Sequence, residues 1–191
     1  DMAYVRMALL TAALMSCVGL GTSAASTFAE RADGALQMDG RTLPCGKARS
    51  ALDESLPNLG MSIPDGGLLV FNPTLLGRHP GVVRIFVFHH ECGHQHVGAS
   101  VMEADCWAVW RGVSEGWLKK RTLAQICKSF GNGPASFTHP AAAERCANLD
   151  KCFTVATAQF VERKRRSAVV RSLQAPQLVS GPRLIRSGVL R

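Results

Sequence analysis

Three residues in the middle of the chain have the types and the spacing that can hold a metal ion and activate water. They are His90, Glu91 and His94, in the segment FHHECGHQH at positions 88–96. On an α-helix, residues four apart project from one face, so both imidazoles can present a nitrogen to one cation. Glu91 is rotated by about 100° from His90 and can lie beside the ion without binding it.

These side chains predict zinc as the cofactor and Glu91 as a catalytic general base. Imidazole binds zinc well, and a site with three protein ligands keeps its fourth position for water. The ion lowers the pKa of that water, and a nearby carboxylate takes its proton during attack on a carbonyl carbon. Zinc proteases use this H-E-x-x-H pattern. We therefore expect hydrolysis of peptide bonds in a peptide or protein substrate, with one zinc ion.

A third protein ligand must come from elsewhere in the chain, and Glu103 and Asp105 are the candidates. If a second helix turns back at about residues 98–99, the position that faces the two histidines is near 105. A carboxylate among the small and apolar residues on that face needs a metal or a partner. Glu103 can instead close a capping box with Ser100. We favour Asp105 as the metal ligand, and the other carboxylate is a candidate partner of a ligand histidine.

His139 is the remaining candidate for catalysis, in the tripeptide Thr-His-Pro at positions 138–140. Its imidazole could supply a proton or stabilise the oxyanion of a tetrahedral intermediate. The same tripeptide is also typical of a helix start, and both interpretations stay open. His89 and His96 lie off the metal-binding face and are expected in the core or at the surface.

The segments HECGH at 90–94 and EADCWA at 103–108 resemble the compact gluzincin-type metallopeptidases of bacteria, which belong to the zincin superfamily. These enzymes pair an HExxH helix with a second helix that carries an acidic E-A-D-like motif. The resemblance covers about residues 67–152. It implies that an edge strand before the active-site helix binds extended peptide, and residues 68–72 occupy that place. The chain departs from the commoner E-x-x-A-D form, because position 101 is a valine.

The pattern of apolar residues predicts a mainly helical α+β fold with a small sheet before the HExxH helix, and the resemblance implies that this domain is zincin-like. After the turn signal PDGG, the run LLVF at 68–71 is typical of a short strand. The predicted helices cover residues 80–98, 100–117, 123–130 and 138–159, with a further short helix near residues 47–56.

The ends of the chain predict an exported protein. Residues 1–25 combine an apolar run with small residues, as a signal peptide does, and are followed by a metallopeptidase domain at 26–162. Residues 163–191 form a basic tail, expected to be disordered, which contains the whole excess of the +8 net charge. An uncleaved signal, lipidation at Cys17 and this tail are the possible routes to a membrane. We expect the periplasm or cell envelope of a bacterium.

The charge distribution and the motif leave two further classes of function open. Because the domain itself is neutral, no nucleic-acid partner is expected. A non-catalytic zinc-binding envelope protein would use the same histidines with Glu91 idle. An interaction module would act through the basic tail instead.

Six cysteines follow the predicted signal, and an even number in an exported chain predicts disulfides. Cys92 and Cys106 fall at facing positions of the two central helices, and they are the pair that we expect to be bonded. Buried free thiols are the alternative. The six are Cys45, Cys92, Cys106, Cys127, Cys146 and Cys152.

Overall fold

The computed structural model describes residues 28–136 and 139–174, so the predicted signal peptide, Cys17 and the end of the basic tail lie outside it. The described chain has an α+β fold in which six short strands precede five helices. The strands are β1 Phe28–Glu30, β2 Leu36–Met38, β3 Arg41–Leu43, β4 Arg49–Leu52, β5 Gly60–Ile63 and β6 Leu68–Phe71. The helices are α1 Pro73–Gly77, α2 Gly81–Val97, α3 Val101–Glu115, α4 Lys120–Ser129 and α5 Ala142–Gln174.

The strands form two three-stranded sheets, and the second of them, in the order β4-β6-β5, leads into the helices. The strand predicted at 68–71 is confirmed as β6, which runs parallel to β4 and antiparallel to β5. Because β6 is the central strand, the expectation that it binds peptide as an edge strand is wrong. The free edge beside the helices belongs to β5, since β5 contacts α2.

The prediction of a short helix near residues 47–56 is also wrong, because residues 49–52 form β4. The register pairs Arg49 with Leu68 and Leu52 with Phe71. Outside this ladder, the N–H of Ser50 donates to the carbonyl of Gly34 at 2.8 Å. Hydrogen bonds to distant parts of the chain thus outweigh the local helical preference of this segment.

Helix α2 confirms the main helix prediction, with Pro80 just before its first turn and Gly98 just after its last. Gly98 has a φ of 79°, which favours glycine. The helix packs on the sheet through Phe88 and on the later helices through Phe86, and both rings are almost fully buried. Each such side chain contributes about 1.5–3 kcal/mol by leaving water. Two apolar faces explain the nearly continuous apolar sequence of this helix.

Helix α3 packs closely along α2, and Gly93 makes the close approach possible. A Cβ atom at Gly93 would lie only 3.0 Å from the Cα of Ala104. The predicted cap of α3 is present, because the hydroxyl of Ser100 accepts a hydrogen bond from the N–H of Glu103. This crossing brings residue 105 next to the histidine pair.

Helices α4 and α5 complete the fold, and the predicted third helix agrees with α4. The fourth helix begins at Ala142, so the prediction that it starts at Thr138-His139-Pro140 is wrong. It continues to Gln174, so residues 163–174 are helical where a disordered tail was expected. The ion pair between Arg166 and Glu162, one turn apart, supports this exposed extension.

The described residues contain two disulfides, which confirms the general prediction and indicates an oxidising, exported location. They join Cys45 to Cys92 and Cys106 to Cys152, so the expected Cys92–Cys106 bond is wrong. Cys92 belongs to the core formed with the sheet, whereas the partner of Cys106 lies on α5. In the described part of the chain, no helix is both long and apolar enough to cross a membrane.

Candidate metal centre

His90 and His94 turn the same ring nitrogen towards each other at the surface of α2. Their Nε2 atoms are 3.2 Å apart, and the ring planes are perpendicular. Two nitrogens bound to one tetrahedral zinc at about 2.0–2.1 Å each would lie roughly 3.3–3.4 Å apart. The two imidazoles therefore fit a zinc ion without a change in helix geometry.

The other nitrogen of each ring faces an acceptor. His90 Nδ1 lies 2.8 Å from Oδ1 of Asp105, and His94 Nδ1 lies 2.7 Å from the carbonyl oxygen of Gly98. An acceptor at Nδ1 favours the tautomer that carries its proton there and leaves the Nε2 lone pair available to a metal. Burial also lowers the pKa of His90, against the opposing effect of Asp105, and so favours its neutral form.

Asp105 lies behind His90, outside the pocket, and this does not agree with its predicted role as third ligand. Its side chain is fully buried. Arg145 donates to both of its oxygens, from Nε to Oδ2 at 2.9 Å and from Nη2 to Oδ1 at 2.7 Å. Burial alone would raise the pKa of Asp105, but the hydrogen bonds from Arg145 and the close contact with His90 lower it below its ordinary value. Asp105 is thus an ionised partner of His90.

Glu103, the other predicted ligand, is exposed on the first turn of α3. It does not line the pocket around the histidines. Its backbone N–H serves the helix cap described above. Neither of the two predicted carboxylates therefore reaches the space between His90 and His94.

Arg145 belongs to the candidate site, although no motif in the sequence indicates it. It stands near the start of α5, 40 positions after Asp105, and its guanidinium group lies over the ring of Phe130 at 4.0 Å. One signal was available in the sequence, because a carboxylate expected on a buried face requires a cationic partner. The choice of Arg145 among the many basic residues depended on the packing of α5 against α3.

Glu91 is buried on the side of α2 that faces β5 and lines the pocket. A Cβ atom at Gly60 would lie 2.9 Å from Glu91 Cγ, so glycine provides the space for this side chain. Burial raises the pKa of Glu91 to about 7, although the charge of Arg145 and the backbone N–H of Ser62 act against it. A carboxyl group with a pKa near neutrality is suited to accept a proton and return it.

A pocket of about 720 Å³ opens beside the histidine pair. Residues 58–62, which include the first part of β5, form one wall, and the end of α4 with His139 and Arg145 forms another. His139 is exposed, and partial burial of its ring lowers its pKa. Apolar side chains contribute much of the remaining lining, namely Phe86, Val87, Val101 and Phe130.

A second group of possible metal ligands lies on the far side of α2. The ligand atoms of Cys45, Cys92 and His96 all lie within 4.8 Å of one another. Cys45 and Cys92 are joined in a disulfide, and thiolates rather than disulfide sulfurs bind metals. The ring of His96 stacks on Trp107 with centroids 4.4 Å apart. This group could hold an ion only after reduction of the disulfide.

His89 is a buried core residue, as expected for a histidine off the metal face. Its ring stacks on Trp117 with centroids 5.3 Å apart. Burial lowers the pKa of His89 to about 3, with a contribution from the charge of Arg111. His89 therefore stays neutral and supports packing.

Comparisons of this chain with protein-family models, with curated proteins and with solved structures found no match.

Proposed function

We propose that this protein is a zinc-dependent peptidase in which His90 and His94 bind the metal and Glu91 acts as general base. The observation that carries the proposal is the 3.2 Å separation of the two Nε2 atoms, with an acceptor facing each Nδ1. Such an arrangement holds both rings in the orientation that a metal requires. A small sheet followed by the HExxH helix and an antiparallel second helix supports a zincin-like fold. The disulfides support action in the periplasm or cell envelope of a bacterium.

The chemistry of the site divides between the ion and the protein. A bound zinc would supply a water molecule of lowered pKa and polarise the substrate carbonyl group. Glu91 would take the proton of the attacking water and return it to the leaving amine. Asp105 and Arg145 hold His90 in place during these steps.

The outer edge of β5 is the best candidate for binding the substrate backbone. One side of this strand pairs with β6, and its residues Gly60, Met61 and Ser62 line the pocket. An extended peptide could add to the other side by main-chain hydrogen bonds and so pass in front of the histidine pair. The substrate class proposed is therefore a peptide or protein segment in extended conformation.

The test compares zinc content and peptide hydrolysis in the purified disulfide-bonded protein and three variants. Glu91→Gln should keep the zinc and lose hydrolysis of a fluorogenic peptide library by on the order of 100-fold or more. His94→Ala should lose both. His96→Ala is the matched control, because this exposed histidine lies on the same helix away from the pocket, and it should change neither property.

Two outcomes would contradict the proposal that the protein is a peptidase. If the purified wild-type protein contains no zinc, the proposed function is wrong. Zinc in the wild-type protein without hydrolysis that depends on Glu91 indicates instead a non-catalytic zinc-binding envelope protein, in which the metal joins the helices.

A further inference from the structure

We propose that His139 is the third protein ligand of the metal, so that the site is formed by three histidines. This inference rests on the proposed function, since it concerns the same ion. It assigns to His139 a role different from the proton donor or oxyanion ligand expected from the sequence.

The first step is to ask which side chains that line the pocket can bind zinc. Four described residues that line the pocket have side chains able to bind zinc, namely His90, Glu91, His94 and His139. Glu91 lies on a different face of α2 from His90 and His94 and packs against Gly60 of β5. In the proposed function it serves as the base. His139 is then the remaining zinc-binding side chain among the described residues of the pocket.

The second step is that no residue of α3 is placed to act as the third metal ligand. Val101 lines the pocket at the start of that helix, and its side chain offers no ligand atom. Asp105 uses both of its oxygens for Arg145 and faces the wrong nitrogen of His90. Glu103 is exposed outside the pocket. Helix α3 thus supports the site from behind, and the missing ligand must come from a different element.

The third step is the position of His139, between α4 and α5. Its backbone is held by Ser136, whose hydroxyl accepts from the His139 N–H at 3.0 Å and whose N–H donates to the His139 carbonyl at 2.8 Å. These bonds fix where the side chain starts, at the wall of the pocket. Its ring nitrogens do not lie within 4.8 Å of both other histidines, so ligation requires a change of side-chain rotamer.

A site of three neutral imidazoles differs chemically from one with two imidazoles and a carboxylate. It leaves the full +2 charge on the ion and therefore favours a more acidic bound water. Zinc sites with three histidines and a water are a known catalytic arrangement. Nitrogen ligands also favour zinc and cobalt over magnesium and calcium.

The experiment uses the intact mature protein with its disulfides and measures binding of zinc and of Co²⁺ alone. His139→Ala should weaken the zinc Kd by at least about 100-fold, more than the loss of a supporting residue does. The visible absorption of bound Co²⁺ should also change, because a water replaces an imidazole. His96→Ala should leave both readings unchanged.

A second variant keeps the test decisive if His139→Ala affects folding. In the double variant Val101→Glu with His139→Ala, a carboxylate enters the pocket from α3 and should restore most of the zinc affinity. An unchanged Kd and Co²⁺ spectrum in His139→Ala would overturn the inference, and a loss of activity alone would assign His139 to the oxyanion. Absence of zinc from the wild-type protein is a separate result, which removes the proposed function itself.

Discussion

Arg145 and Asp105 form a two-point ion pair that joins α5 to α3 directly behind the histidine pair. Both contacts are hydrogen bonds, at 2.9 and 2.7 Å, and Asp105 is fully buried. The same carboxylate faces Nδ1 of His90. Three helices are therefore linked through one side chain, so a change in the position of α5 would alter the orientation of His90, the proposed metal ligand.

Asp105→Asn should weaken both folding and metal binding. The substitution leaves the Arg145 charge, whose side chain is 12% exposed, without its partner. The cost in the free energy of unfolding should be up to about 3–5 kcal/mol. Loss of the carboxylate beside His90 should weaken the zinc Kd by about 10- to 100-fold. Chemical denaturation and metal titration measure the two effects.

The matched control is Asp150→Asn, on the same helix as Arg145. Asp150 pairs with Lys120 at the surface, where both side chains are more than half exposed. Its loss should cost about 0–1 kcal/mol and leave the zinc Kd unchanged. Equal effects of the two substitutions would contradict the role of Asp105.

Gly60→Ala should reduce hydrolysis while the metal stays bound. The new methyl group would lie 2.9 Å from Glu91 Cγ and 3.0 Å from Phe71 Cδ1, so the carboxyl group must shift. A shift of a catalytic group by about 1 Å can lower the rate on the order of 100-fold. Measurement of kcat beside zinc content tests this. Gly66→Ala is the control, since its methyl group meets only ordinary contacts at 3.5 Å.

The Cys45–Cys92 disulfide should contribute strongly to stability. It closes a loop with a sequence separation of 47 and attaches α2, within the HExxH motif, to the segment before β4. A loop of this length predicts a loss of about 4 kcal/mol when both cysteines are replaced by alanine, through the entropy of the unfolded chain. Calorimetry of the double variant against the wild-type protein measures it. A change below about 1 kcal/mol would show that the bond does not constrain the unfolded chain.

Cys127 should react slowly with alkylating reagents in the folded protein. Burial and a hydrogen bond with Cys146 raise the pKa of the Cys127 thiol above its ordinary value. Because the thiolate is the reactive form, the rate at pH 8 should be well below that of the same thiol in the unfolded chain. The rate should rise about tenfold per pH unit while the protein stays folded.

Peptide mass spectrometry after timed labelling measures this rate, with the guanidine-unfolded protein as control. Labelling of the folded protein as fast as that of the unfolded chain would contradict the raised pKa. If Cys127 stays unlabelled even in guanidine, it is oxidised, and the described free thiol is wrong.

Short-range features of this protein could be predicted from the amino-acid sequence. Helix α2 is specified by an almost continuous apolar run between Pro80 and Gly98. The shared face of His90 and His94 then follows from the helical repeat. The cap at Ser100 is equally local, because the hydroxyl and the N–H that it binds are three residues apart. In each case the interacting groups are close in the chain, so the residue types are sufficient.

Features that depend on distant partners were decided only by the tertiary structure. Residues 49–52 form a strand because they pair with β6 by backbone hydrogen bonds. Cys92 is bonded to Cys45 rather than to Cys106 because it faces the sheet. Asp105 binds Arg145 because α5 packs across α3. Helical and strand repeats describe which residues share a face, but they do not specify which other element covers that face. Packing of the whole chain makes that choice, since it must bury every apolar face and pair every buried charge at once.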